Sequence, residues 1–312
     1  MSWEEVFPGP CYDETILDQK ASLQRSNALK YFIVGCFFKD LSSGGIVITT
    51  ECNYTKAYVT TNKFESCTRN KTRFDYRGGG SIYFGIEGEF VQTKNSFIKS
   101  TTDTIGLAFR IHVSGIPNYK NHVNETIASN CIRNGRDTRS TVYMYKGFQI
   151  MNQCNITQNK CKYHVAYFLF DINSNSYITC VNVIENEVID YRLCEQTGLT
   201  PDVRFKITLC TFDLNRRNNP QRDGHMIMAT SLSDISYCYF GYNRYFKISA
   251  LIHFGKFTIE NSYGYSGQSH QFENNCPLIK LSRVESLKFT CHQSQYRQSA
   301  NINKLFRQKR IY

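Results

Sequence analysis

"HVAYFLFDINSNSYITCVNV", residues 164–183, is the stretch whose reading decides the fold. Its first half is apolar or aromatic at nearly every position, a short Asn/Ser turn follows, and a second β-branched run closes it. The pattern predicts a hairpin. Alternation along a strand sends Val165, Tyr167 and Leu169 to one face and Ala166, Phe168 and Phe170 to the other. An antiparallel pair with one wet face alternates apolar and polar residues. Here both faces are apolar, so both need cover.

Strand patterns dominate the chain on either side. "YFIVGCFF" at 31–38 is a compact apolar run, and 46–50 and 56–61 are short β-branched stretches. In "IYFGIEGEFV" at 82–91, Ile82, Phe84, Ile86 and Phe90 face one way, with Glu87 and Glu89 opposite. The "RGGG" before it, at 77–80, reads as its turn, because glycine tolerates positive φ. It is no phosphate cradle, since it leads into a strand and not a helix. In "IGLAFRIHV" Ile105, Leu107, Phe109, Ile111 and Val113 share a face over a period of two. Between 141 and 150, Val142, Met144, Phe148 and Ile150 are assigned to one side. Between 187 and 195, Ile189, Tyr191 and Leu193 point in, and Asp190 and Arg192 point out. About nine short strands between 31 and 195 predict an antiparallel sandwich or barrel.

At residue 200 the pattern changes. Thr200, Pro201 and Asp202 have the chemistry of an N-cap, a first-turn proline and an acid at the positive helix end. Val203, Ile207, Cys210 and Leu214 then form one helical stripe, so a helix is expected over 200–214. "NRRNNPQRDG", 215–224, reads as a linker. Beyond it, 225–312 reads as a second β-rich module.

The chain has 312 residues and 41% hydrophobic residues, so it can bury a core. No apolar run reaches the ~18–20 residues needed to span a bilayer. A formal charge of +11 favours acidic partners, although most basic residues are scattered. They concentrate only in the tail, where "RQKR" at 307–310 reads as a solvated basic end or a convertase signal. Thirteen cysteines, with no C-x-x-C, read as disulfides of an oxidising compartment. Cys161 with His164, and Cys291 with His292, read as chance neighbours and not metal ligands. The sequons at Asn53, Asn70, Asn124 and Asn155 lie in polar, turn-like stretches suited to glycans. "MSWEEVFPGPCYDE" at 1–14 has no apolar leader core. The expected location is nonetheless extracellular, with the signal peptide absent from this chain.

The order at 163–214 resembles the C-terminal half of the lipocalins, the calycin β-barrels, and most nearly the divergent salivary lipocalins of blood-feeding insects. "FLFDINSNSYITC" is similar to their T-D-Y-x-x-Y hairpin, with Asp171 and Tyr177 at the matching places. "DYRLCEQTGLTPDV" resembles the last strand, with its arginine at Arg192, followed by the outer helix. The family's G-x-W on the first strand is missing, since the one tryptophan is Trp3. The resemblance covers 11–214. It implies an antiparallel eight-stranded barrel with one flanking helix, which would dry both faces of the opening hairpin. It also implies disulfides Cys11–Cys180 and, from Cys52, to Cys210 or Cys238.

The function expected from this is non-enzymatic binding of a small hydrophobic molecule in a barrel cavity. Its wall would be drawn from Ile82, Phe84, Phe90, Leu107, Phe109, Met144, Tyr167, Tyr177 and Tyr191. The alternative is a secreted or surface-exposed disulfide-rich interaction protein, of viral or parasite type, that binds a protein or acidic glycan through loops and basic tail. No G-x-S-x-G, H-E-x-x-H or Walker pattern occurs, so no catalysis, cofactor or metal is expected. No nucleic-acid module supports a nucleic-acid partner.

Overall fold

The structure, a computed structural model, describes residues 2–9, 12–26, 29–49, 54–70, 78–114, 118–133, 138–219, 224–244, 247–250 and 256–264. The chain has two compact units, Met1–Leu281 and Ser282–Tyr312, and only the first contains described residues.

Every strand pairing in it is parallel, which overturns the antiparallel barrel. The opening stretch shows why. Tyr167–Ile172 does not pair with Tyr177–Thr179 across the Asn/Ser turn. It lies between Val142–Tyr145 and Arg192–Gly198. Tyr177–Thr179 in turn lies between Phe148–Asn152 and Arg204–Thr208. The turn is therefore a corner and not a reversal. Asn173 makes it locally, its carboxamide oxygen accepting from the Asn175 N–H at 3.1 Å and the Ser176 hydroxyl at 2.9 Å. Asn182–Ile184 continues the same circuit after a second corner. Arg192–Gly198, Arg204–Thr208 and Thr211–Asp213 repeat it one layer on.

The chain thus winds as a parallel β-helix of about 28 residues per coil, within the range of solenoid repeats. Most of its strands fall into three faces; five two-residue strands form two smaller sheets, Thr68–Arg69 with Thr101–Thr102, and Lys160–Cys161 with Glu187–Val188 and Arg216–Arg217. Sheet I holds the first strand of each coil and sheet II the second. The two share the long strand Ile82–Thr93, and together they number 18 strands. Sheet III holds the third strand of each coil, nine among the described residues, from Phe37–Lys39 to Tyr263–Gly264.

The helix expected over 200–214 is absent. Residues 204–208 and 211–213 are strands, with Phe205 and Ile207 turned inward at 0% exposure and Lys206 outward. The β-branched and aromatic residues of this segment outweigh its N-cap signature, because each backbone group finds a partner on the neighbouring coil. Among the described residues the only α-helix is Trp3–Val6. The expected linker begins inside the stack: Asn215 is 1% exposed, and Arg216–Arg217 pairs with Glu187–Val188. Residues 220–223, and 265–312 with the basic tail, lie outside the described residues.

Inward positions form columns. Ile82, Phe109, Val142, Tyr167 and Cys194 stand in register on consecutive coils of sheet I, and Phe84, Ile111, Met144 and Leu169 form a second line. On sheet III Phe38, Phe64 and Phe97 stack with centroids 4.9 and 4.7 Å apart and planes within 10°. Phe212 and Phe240 repeat the stack further along. Parallel coils bring identical positions together at ~4.8 Å, which suits flat rings. Sequence alternation placed Leu107, Phe109, Ile111 and Val113 correctly inside. It failed between 141 and 150. Gly147, at φ 77°, turns a corner there, so Val142 and Met144 point in while Phe148 and Ile150 point out.

Two corners are built alike in most of the described coils. A residue in the left-handed region is followed by a small or polar residue that points inward. Between sheets II and III the left-handed residue is Thr61, Lys94, Glu125, Gln153, Cys180, Leu209 or Tyr237. The inward residue is then Asn62, Asn95, Thr126, Cys154, Val181, Cys210 or Cys238. After sheet III the inward positions are Cys67, Ser100, Cys131, Asn159, Asn186, Asn215 and Asn243.

The asparagines form ladders. Asn186 Oδ1 accepts the Asn159 N–H and Nδ2, each at 3.0 Å, and Asn186 Nδ2 donates to Ile156 O at 2.8 Å. Asn215 serves Asn186 in the same way, and Asn243 serves Asn215. A left-handed non-glycine costs about 1–2 kcal/mol. The ladder bonds of the next residue offset it.

The N-terminal segment covers part of sheet II from outside. Trp3, Val6 and Phe7 pack on Tyr58 and Val91, with Phe32 at the edge, and Ser2 and Glu5 form a capping box. The ammonium groups of Lys56 and Lys120 flank the Phe7 ring at 5.1 and 5.4 Å.

Replacing Asn186 by Ala strips an acceptor from two buried donors and a donor from a buried carbonyl. The expected loss is about 2–3 kcal/mol, read as a lower urea midpoint at unchanged m. Thr157→Ala, on the outer side of sheet III, is expected to stay within about 0.5 kcal/mol of the parent.

Candidate functional site

Parallel stacking also lines up outward residues. On sheet I the register places Tyr83, Arg110, Tyr143, Phe168 and Glu195 in one row. The Arg110 guanidinium lies between two rings, 5.7 Å from the Tyr83 centroid and 5.3 Å from that of Tyr143. Tyr143 meets Phe168 edge to face at 5.3 Å. A second row carries His112, Tyr145 and Phe170, with His112 4.3 Å and Phe170 5.4 Å from the Tyr145 ring, and Lys146 over that ring at 5.0 Å. At the edge where coils enter sheet I, Tyr163 and Tyr191 lie 5.5 Å apart. Arg139 and Lys162 lie over Tyr163, and Arg192 over Tyr191.

This arrangement answers how the segment around Phe168 is dry on both sides. Tyr167 and Leu169 face the coil interior. Phe168, only 8% exposed, is covered by Tyr143 and by His164, whose ring stacks on it at 4.8 Å. The floor of the face is therefore closed, while its rims are open. Arg139 and Tyr191 are exposed, and Arg110, His112, Tyr145, Lys146 and Phe170 are half-buried.

The charges on this face are unevenly paired. His164 Nδ1 sits 2.7 Å from Glu195 Oε2, and Arg192 bonds the same oxygen at 2.5 Å. Burial raises the Glu195 pKa, but His164 and Arg192 outweigh it and hold the carboxyl below its usual range. Burial pushes His164 down against the pull of Glu195, leaving it the neutral partner of the pair. Among the described residues no carboxylate lies within ion-pair distance of Arg110 or Arg139, and Arg110 Nε is buried without a hydrogen-bond partner. Burial, aided by Arg110 and Lys146, lowers His112 to about 4. On the outside of sheet II, burial, aided by Lys120, lowers His122 to about 4 as well.

Of the residues expected to line a cavity, seven are packed in the coil interior and two stand outside it. Ile82, Phe84, Phe90, Leu107, Phe109 and Tyr167, with Met144, are 0% exposed members of the coil interior. Tyr177 stands outside sheet II beside Phe148, and Tyr191 is 39% exposed on the entry edge of sheet I. Alternation misassigned Tyr191, because the inward positions of that strand are Cys194 and Gln196, opposite Tyr167 and Leu169. The signal for the outer row was present: an aromatic or arginine follows directly on the inward residues Ile82, Phe109, Val142 and Tyr167.

Cys11 and Cys52 lie outside the described residues, as does Asn53. Cys210 is a buried free thiol at a corner of the stack, and Cys180 occupies the left-handed position of the preceding coil. Asn70 is exposed. Asn124 and Asn155 are half-buried on the outside of sheets II and III, and Asn155 accepts from Asn182 at 2.8 Å.

Among the described residues no cluster of His, Cys, Asp and Glu could hold a metal ion. No helix there is long and apolar enough to cross a membrane. Comparison with protein-family models, curated proteins and solved structures finds no match to this chain.

Three depressed histidines, His112, His122 and His164, tie stability to pH. Well above pH 6.5 they are neutral folded and unfolded, so they contribute no slope. As pH falls from there toward 4, the unfolded chain takes up protons that the folded one refuses, and stability drops. The melting temperature is expected to fall over that window. His112→Phe with His122→Phe should flatten the fall, as followed by circular dichroism.

Proposed function

We propose that this protein is a non-enzymatic binding scaffold that holds an extended acidic glycan along the outer face of sheet I. The observation that carries the reading is Arg110, held between Tyr83 and Tyr143 with no carboxylate partner among the described residues. A guanidinium fixed in this way is oriented for a carboxylate or sulfate without further loss of freedom. The half-exposed rings of Tyr145 and Phe170 and the exposed Tyr191 offer flat apolar surface for sugar rings. Arg139 and Lys146 supply further positive charge along the coils, while Lys162 is paired with Asp190 at 3.6 Å. The rungs repeat at ~4.8 Å, a spacing that favours a polymer lying along the axis over a single small molecule.

The overall charge of +11 supports the same sign of partner. The earlier expectation of a ligand within a barrel has lost its barrel, and seven of its wall residues are enclosed as core. The contact on offer is outside the coils.

Binding of fluorescent heparin and polygalacturonate, with dextran as the neutral control, tests this. The acidic chains are expected to bind and to weaken steeply with added salt, and dextran to stay unbound. Arg110→Gln is expected to lower affinity about tenfold, or about 1.4 kcal/mol, at unchanged melting temperature. Equal binding of dextran, or an unaltered affinity in that variant, counts against the reading.

A further inference from the structure

We propose that Cys210 and Cys238 close a disulfide between adjoining coils when the chain folds in the presence of a thiol–disulfide oxidant. The register carries the inference. Thr208 stands opposite Ser236 on sheet II, and Thr211 opposite Tyr239 on sheet III. Cys210 and Cys238 therefore fill the same inward corner position on consecutive coils. Neighbouring parallel strands lie ~4.8 Å apart, inside the ~4.4–6.8 Å Cα separation that a disulfide spans.

The two side chains interact with one another inside the corner. Their exposures are 1% and 0%, and each Sγ also donates to a backbone carbonyl, Cys210 to Thr208 O at 3.2 Å and Cys238 to Ser236 O at 3.3 Å. Within the column the coil before carries Val181 and the coil after carries Ser262; the nearest further thiol, Cys180, acts on Cys210 from the neighbouring left-handed position. Cys194, which also faces the interior here, is engaged by the hydroxyl of Tyr167.

Two S–H bonds break and one S–S bond forms. The two protons pass to solvent. The two electrons reduce the disulfide of the oxidant, a small-molecule or oxidoreductase disulfide, and its two sulfurs take up two protons from solvent to become thiols. Burial raises the Cys210 thiol well above its ordinary pKa once the coils are closed, so the exchange belongs to folding, while thiolate is still accessible. Once formed, the bond sits where reductant in solution does not reach it.

The full chain is refolded with glutathione disulfide, unfolded in denaturant with an alkylating agent, digested without reduction and mapped by mass spectrometry. The expected product is one linked peptide pair joining Cys210 to Cys238, lighter than its parts by two hydrogens and separated by reductant. Recovery of both cysteines alkylated overturns the proposal, as does linkage of either one to Cys180, Cys194 or another cysteine. Cys210→Ser provides a control that needs only an unfolded digest. It should leave Cys238 fully alkylated if the proposed pair is real, and a Cys238 that stays blocked has another partner and overturns it.

Discussion

The register between one coil and the next is the constraint on which this structure depends. Each strand bonds to its counterparts a full circuit away in sequence, so no strand is stable without its neighbours. The side chains that hold this register are the inward corner residues. Asn159, Asn186, Asn215 and Asn243 each pass hydrogen bonds to the next, and Asn62 and Asn95 do the same at the other corner. A slip by one residue would turn these amides outward and put lysine and glutamate inside. The ladders therefore specify alignment as well as adding bonds. The stacked phenylalanines of sheet III add area to the same alignment.

Order on the inside produces order on the outside. Once the coils are in register, any residue type that recurs at an outward position becomes a row. On sheet I the row is aromatic and cationic, on the outer side of sheet II it begins as an apolar strip under Trp3 and Phe7, and on sheet III it is mostly polar. Rows of this kind present one chemistry at a constant repeat. A face of repeating rings and guanidinium groups suits a repeating ligand, and the capping N-terminal segment leaves that face on sheet I uncovered by its own contacts. The closed floor made by Tyr143, Phe168 and His164 keeps the rows rigid.

Alternation of apolar residues was legible, and it identified most of the buried strand positions correctly, Leu107 to Val113 among them. The winding was not. Coil length varies because loops of different size interrupt the circuits, so the repeat carries no fixed period. The left-handed corner residues include Leu209, Leu214, Lys94 and Glu185, which no turn rule marks. Beside Lys94, Glu185 and Leu214 the inward asparagine is bonded across coils, a fact outside any local window. Cys67, Cys131, Cys154, Cys210 and Cys238 fill the same corner positions as asparagine and serine, which their spacing in the sequence does not reveal. The Thr-Pro-Asp opening at 200 was an honest helix signal, overruled by partners contributed from residues some thirty positions away on either side.

The sequence by itself determined that this is a β protein with a large apolar core, a basic balance and strands whose alternate residues part company. It determined which side of Phe168 was which. It left open whether neighbouring strands in sequence would also be neighbours in space, because hairpin and corner are written with the same Asn and Ser residues. Only the tertiary structure decided that, through hydrogen bonds between coils that no single strand can make. The same decision gathered Arg110, Tyr143 and Phe168, each on a different coil, into one surface.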